Sequence, residues 1–85
     1  MADLKLEIVS PTGIIFKGTC SMAVVPSEAG DIGVMHGHEA VIAALRSGEK
    51  IAIYDDKQNL VKSIEVTSGG FAEMQGLDRL LVLID

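Results

Sequence analysis

Aromatic residues are scarce in this chain: no tryptophan, one tyrosine and two phenylalanines among 85 residues. A core with so few rings must be built from Leu, Ile and Val, with Met22, Met35 and Met74 filling gaps. Cysteine is scarcer still. Cys20 stands alone, which excludes an internal disulfide, and its place inside an apolar-patterned run marks it as a small buried thiol rather than a reactive one. Cations are outnumbered, seven Lys and Arg against twelve Asp and Glu, for a net charge of −5. They are spread singly, and the absence of a basic stripe argues against nucleic-acid binding. Long hydrophobic runs are missing too, and the start M-A-D-L-K-L carries no signal or transit pattern. These absences lead to the expectation of a soluble protein of a reducing bacterial cytoplasm whose link to any membrane passes through a partner; the isolated chain is expected to be a monomer.

What remains is mostly period-two alternation broken by turn residues. Leu4, Leu6 and Ile8 alternate with Lys5 and Glu7 until S-P-T-G. The run I14-I-F-K leads through Gly18 into T19-C-S-M-A-V-V, which Pro26 is expected to stop. S27-E-A-G-D reads as a turn, and I32-G-V-M resumes the extended pattern. A40-V-I-A-A-L is too short to assign by periodicity. E49-K-I-A-I-Y-D and L60-V-K-S-I-E-V flank the hairpin tip D55-D-K-Q-N, and T67-S-G-G breaks the chain before F71-A-E-M-Q and R79-L-L-V-L-I. No helical stripe, linker or repeat interrupts this series. About eight or nine short strands at such spacing predict one all-β sandwich or barrel domain over residues 1–85. Most glycines fall at the breaks, whereas Gly33 interrupts an extended run, as at a bulge or beneath a partner's backbone.

Three chemical readings deserve a test. His36 and His38, the only histidines, are two apart and would face one side of a strand, as metal ligands do. The spacing G30-x5-H36-x-H38 matches the opening of a cupin metal motif. That motif next requires a glutamate where Ile42 and Ala43 stand, and then a third histidine. Lys57, at a hairpin tip, resembles the modified lysine of a lipoyl or biotinyl carrier domain, but neither flanking motif is present. Conventional catalysis finds no nucleophile elbow around any serine and no P-loop lysine after the glycine-rich segments. Asp55 and Asp56 are adjacent, so in a strand they would point to opposite faces and make no catalytic pair. A binding or assembly module, without cofactor or metal, is the expectation.

The order of segments then carries a resemblance. L6-E-I-V-S-P-T-G-I-I-F-K-G18, V24-V-P-S-E-A-G-D-I-G-V-M-H-G-H38, L45-R-S-G48, S68-G-G-F-A-E73 and L81-V-L-I-D85 together resemble the epsilon subunit of the rotary ATP synthase. The blocks run over essentially the whole chain, in order. Two departures stand out. His36-Gly37-His38 replaces the family's Pro-Gly-His, and Glu39-Ala40 replaces its Ala-Pro, which loosens that stretch by enlarging the unfolded ensemble. Family members also continue into two C-terminal helices, a hairpin expected to be absent from a chain ending at Asp85.

The resemblance implies a ten-stranded β-sandwich of two packed antiparallel sheets. It implies a non-catalytic central-stalk subunit, peripheral on the cytoplasmic face of the bacterial plasma membrane. Its partners would be the γ shaft and the membrane c-ring, and through them the α and β subunits of the catalytic head. Rotation driven by protons would thereby couple to ATP synthesis, without the restraint on hydrolysis that the helices supply. G30-D-I-G-V-M-H-G-H38 is then expected to be a shaped interaction loop. Gly30, Asp31, Gly33, Gly37 and His38 of this loop, together with Ser10, are the candidate contacts with γ or the c-ring, Gly33 and Gly37 letting backbones approach, Asp31 and His38 offering hydrogen bonds. The carrier reading at Lys57 and the metal reading at His36 and His38 remain the alternatives.

Overall fold

The alternation of apolar residues becomes a ladder of nine strands in the computed structural model, which describes residues 3–37 and 41–85. They are β1 (Leu4–Ser10), β2 (Gly13–Cys20), β3 (Met22–Ser27), β4 (Gly30–Met35), β5 (Ile42–Leu45), β6 (Glu49–Tyr54), β7 (Leu60–Val66), β8 (Gly70–Gln75) and β9 (Arg79–Ile84). All the regular structure among the described residues is strand, as the patterning requires. Nine strands stand where ten were expected. The segment that periodicity could not assign contributes β5.

The strands form one continuous, curled sheet in the order β2-β1-β9-β8-β5-β3-β6-β7, with β4 on the free side of β3. The two layers of the sandwich are therefore joined rather than separate. One pair is parallel, β1 with β9, where only antiparallel pairing was expected. Parallel pairing arises because the chain's first and last strands meet without a hairpin to reverse them.

One core fills the curl. Leu4, Leu6 and Ile8 of β1 meet Leu80, Val82 and Ile84 of β9, and Ile51, Ile53, Ile64 and Val66 come from the other end of the order. Each set is spaced by two, so one face of every strand is buried and a slip of one residue would expose it. Cys20 lies in this cluster, buried as expected. Ser27 is the buried polar residue among the described residues, and its Oγ accepts the Ala29 N–H at 3.1 Å within the β3–β4 turn.

Pro26 does not end β3, contrary to expectation, because the sheet forks there. β3 pairs along its whole length with β4, and on its other side with β6 only through Val24. Beyond that point it turns to β5, where Pro26 O accepts Arg46 N–H at 2.8 Å and Glu28 N–H donates to Ala44 O at 2.8 Å. A residue's N–H and C=O face the same neighbour in a strand, so proline's missing donor falls in the fork, where ladder continuity is already lost.

Candidate docking surface

The residues on the outer face of the curl follow from the same register. Ile14 of β2 pairs with Val9 of β1, Val9 with Leu83 of β9, Leu83 with Phe71 of β8, and Phe71 with Ala44 of β5. Five strands thus present one unbroken apolar row to the outside. Ile14 is 58% exposed, Leu83 49% and Phe71 59%. The parallel row two residues along, or three on β2 where the register shifts by a bulge, reads Lys17, Glu7, Leu81, Glu73 and Ile42, and the next is polar, with Lys5, Arg79 and Gln75. Apolar side chains aligned across strands and bordered by charge form a patch of the kind that proteins cover with a partner.

The apolar row lies toward one end of the sheet. At that end Gly70 pairs with both Ile84 and Leu45, Leu45 with Ser27, and Ser27 with Gly30. Ser10 closes the neighbouring β1–β2 turn. Its Oγ shares a hydrogen with Thr12 Oγ1 at 3.1 Å, donates to Gly13 O at 3.2 Å and accepts Thr12 N–H at 3.3 Å. Asp31, just past the β3–β4 turn, accepts a 2.7 Å hydrogen bond from Arg46 Nη2 at Oδ1. Of the expected contact residues, the structure brings Ser10, Gly30 and Asp31 to this end.

Gly33 and Gly37 lie elsewhere. The stretch expected to be one loop is mostly strand β4, which carries the chain roughly 16 Å along the sheet at the usual rise. Gly37, at φ +88, donates its N–H to Leu77 O in the β8–β9 turn at 2.6 Å, at the opposite end. Gly33 sits mid-strand with unshifted register, so it marks no bulge. A Cβ there would stand 3.2 Å from Met22 Sδ, so the glycine makes room for a neighbouring thioether. His36 is exposed, and His38 lies outside the described residues. Among the described residues no three His, Cys, Asp or Glu side chains gather as a metal site.

Two of the surface hollows gather several titratable side chains. An open cleft of about 270 Å³ is lined by Cys20, Asp3, Tyr54, Asp55 and Asp56. Burial, and then the negative charge of Asp3, push the Cys20 thiol up to about 11, so it is protonated and a poor nucleophile near neutrality. Asp55 is committed to the β6–β7 turn. Its Oδ1 accepts the N–H groups of Lys57 and Asn59 at 2.9 Å each, and these bonds, Asn59's first, hold its pKa below the ordinary carboxylate value. The Lys57 side chain is exposed on that turn. A second hollow of about 250 Å³ mixes Lys5, Lys17 and Arg79 with Glu7, which spoils it as an anion site.

Residues 3–85 match the family model described as "ATP synthase, Delta/Epsilon chain, beta-sandwich domain". The chain belongs to that family. Relatives include the ATP synthase epsilon chain of Granulibacter bethesdensis, 38% identical over the whole chain and 60% of the relative's length. That of Parvibaculum lavamentivorans is 35% identical over 84% of this chain and 52% of its own. The chain therefore spans little more than half the length of these curated relatives. Among solved structures, a chain of the Euglena gracilis mitochondrial ATP synthase (OSCP/F1/c-ring, rotational state 1) superposes with a TM-score of 0.85 at 18% identity. That superposition covers 99% of this chain and 51% of the other, a shared fold. A chain from the central stalk and c-ring of the Tetrahymena thermophila enzyme gives 0.69 at 13% identity, over 99% and 66%.

The apolar row was missed in the sequence, although two signals for it were present. R79-L-L-V-L-I is apolar at nearly every position, whereas a strand with one solvated face alternates. Val9 and Phe71 likewise occupy positions that the alternation reserves for polar residues.

Proposed function

We propose that residues 1–85 form one sandwich domain that serves as a non-catalytic part of the ATP synthase central stalk, linking the γ shaft to the membrane c-ring. The observation that carries this is the apolar row of Ile14, Val9, Leu83 and Phe71 on a chain matched from residue 3 to residue 85 by the family's sandwich model. The row supplies the water-excluding centre of a contact with γ, since burying such side chains is the main gain in association. The end carrying Ser10, Gly30 and Asp31 offers turns and a carboxylate to the polar loops of the c-ring. His38, Gly33 and Gly37 complete the proposed contact set.

The domain transmits torque and performs no chemistry of its own. It is held at the cytoplasmic face of the membrane through the complex and is monomeric when isolated. The test is reconstitution with α, β and γ on membranes containing the c-ring. Adding the domain should tighten attachment of the head and raise proton-driven ATP synthesis while leaving hydrolysis by the soluble α, β and γ complex unchanged. Attachment and synthesis that ignore the domain would refute the proposal. A lipoyl or biotinyl mass at Lys57, or stoichiometric metal at His36 and His38, would favour the carrier or metal reading.

A further inference from the structure

The Asp31–Arg46 pair joins two turns that are fifteen residues apart in sequence. Fold stability is a poor explanation for it. The Asp31 side chain is 64% exposed and that of Arg46 36%, and ion pairs so placed return little against solvent screening and side-chain entropy. The Arg46 Nε is enclosed yet has no hydrogen-bond partner among the described residues, which costs stability. What the pair does is geometric. The Arg46 backbone is already pinned by its N–H to Pro26 O, and Glu28 N–H is pinned to Ala44 O. A guanidinium anchored at the fork then grips Oδ1 of Asp31, just beyond the β3–β4 turn. That leaves the exposed carboxylate one held oxygen and one open oxygen, in a fixed direction.

We propose that Arg46 is a positioning residue: it fixes Asp31 and the β3–β4 turn as a preformed edge whose free carboxylate oxygen accepts a hydrogen bond from a donor on the rotor partner. This rests on the central-stalk reading. Because the pair is net neutral, the edge recognises a donor by direction rather than by bulk charge, and holding it in place removes an ordering cost from docking.

The test measures binding of the chain to a γ–c-ring complex of the same source, alongside thermal melting of each variant. Asp31→Asn and Arg46→Met are each expected to weaken binding about tenfold. Their combination should be no worse than either alone, since both remove one device. Arg46→Lys should recover part of the loss, and every melting temperature should stay within a few degrees of the unaltered chain's. The charge-swapped pair, Asp31→Arg with Arg46→Asp, should re-form the bridge yet bind as weakly as the singles, because the acceptor no longer sits at position 31. Losses that multiply to about a hundredfold, full affinity in Arg46→Met, or full affinity in the swapped pair would each overturn the inference. Failure of the unaltered chain to bind would overturn the central-stalk reading and take this inference with it, a result distinct from the other three.

Discussion

Substituting alanine at Gly70 tests how tightly the curl is closed. Gly70 stands at φ +155 and is bonded on both sides, to Ile84 of β9 and to Leu45 of β5. A Cβ built there would overlap Leu83 O and lie 2.9 Å from Ile84 Cα and 3.0 Å from Leu83 C, all main-chain atoms. No rotamer change relieves such contacts, so β8 and β9 must separate by roughly 1 Å at this pair, an overpacking response. Two or three hydrogen bonds near Gly70 and Gly69 would weaken, at about 1 kcal/mol each. Placing a side chain in a glycine-only backbone region adds about 1–3 kcal/mol. The sum is at least about 3 kcal/mol, set against a total stability of about 4–13 kcal/mol for a chain of this length.

Thermal melting by circular dichroism reads the effect directly. For a domain of this size the drop should be at least about 12 °C, and failure to fold at room temperature lies within the expected range. Two controls separate the contributions. Gly48 has φ +81 and nothing within 4 Å of a built Cβ, so Gly48→Ala should lose only the left-handed strain, about 1 kcal/mol. At Gly33 a Cβ meets only the flexible end of Met22, 3.2 Å away, and Gly33→Ala should change stability by less than about 1 kcal/mol. A melting temperature for Gly70→Ala within about 4 °C of the unaltered chain would refute the reasoning. So would a larger loss at Gly48 than at Gly70.

The outer face and the two shifted groups give three further predictions. Phe71→Ser and Leu83→Ser remove side chains already 59% and 49% exposed, so each should cost less than about 1 kcal/mol of stability. Each should nonetheless weaken capture of γ by about tenfold, and unchanged capture would show that the row is not the contact. The Cys20 thiolate absorbance should titrate near pH 11 in the folded chain, against 9.0 when unfolded. Its raised folded pKa favours the fold below pH 9, and that advantage is lost as pH climbs from 9 through 11; a folded titration near 9 would contradict the burial. Asp55 works in the opposite sense, its lowered folded pKa supporting the fold above the unfolded value of 3.8 and failing as pH falls below it. Asp55→Asn should therefore narrow the difference in melting temperature between neutral and acid solution, and an unchanged difference would refute the capping role.

How much of this was legible in the sequence depended on how local the cause was. The alternation of Leu4, Leu6 and Ile8, or of Ile51 and Ile53, is fixed by which face of a strand is buried, a signal confined to a few consecutive residues. The turn at Asp55 was legible for the same reason, since the side chain bonds N–H groups two and four residues on. Pro26 was misread because local rules end a strand at proline. They give no hint that β3 exchanges β6 for β5 at that residue, leaving a place where no donor is needed. The stretch from Gly30 to His38 was expected to be one interaction loop, but strand pairing with β3 takes up Gly30–Met35, so its described glycines lie far apart. The structure uses them for separate tasks: a turn, space for Met22, and a bond to Leu77.

The site itself required knowledge of which strands are neighbours. Ile14, Val9, Leu83 and Phe71 come from four strands, and only the register sets them side by side. Each alone reads as an ordinary exposed apolar residue, and scattered ones carry no meaning. Asp31 and Arg46 pose the same difficulty: two charges fifteen residues apart, joined only because the fork at Pro26 brings β5 to the end of β3. The parallel closure of β1 with β9 causes the row to exist at all. It places Val9 beside Leu83, and so joins the surface of the first hairpin to that of the last. A docking face assembled from both ends of a chain therefore depends on complete closure of the sheet. On the proposed central-stalk role, Gly70→Ala is therefore expected to weaken partner binding although Gly70, paired on both sides within the sheet, does not belong to the apolar row.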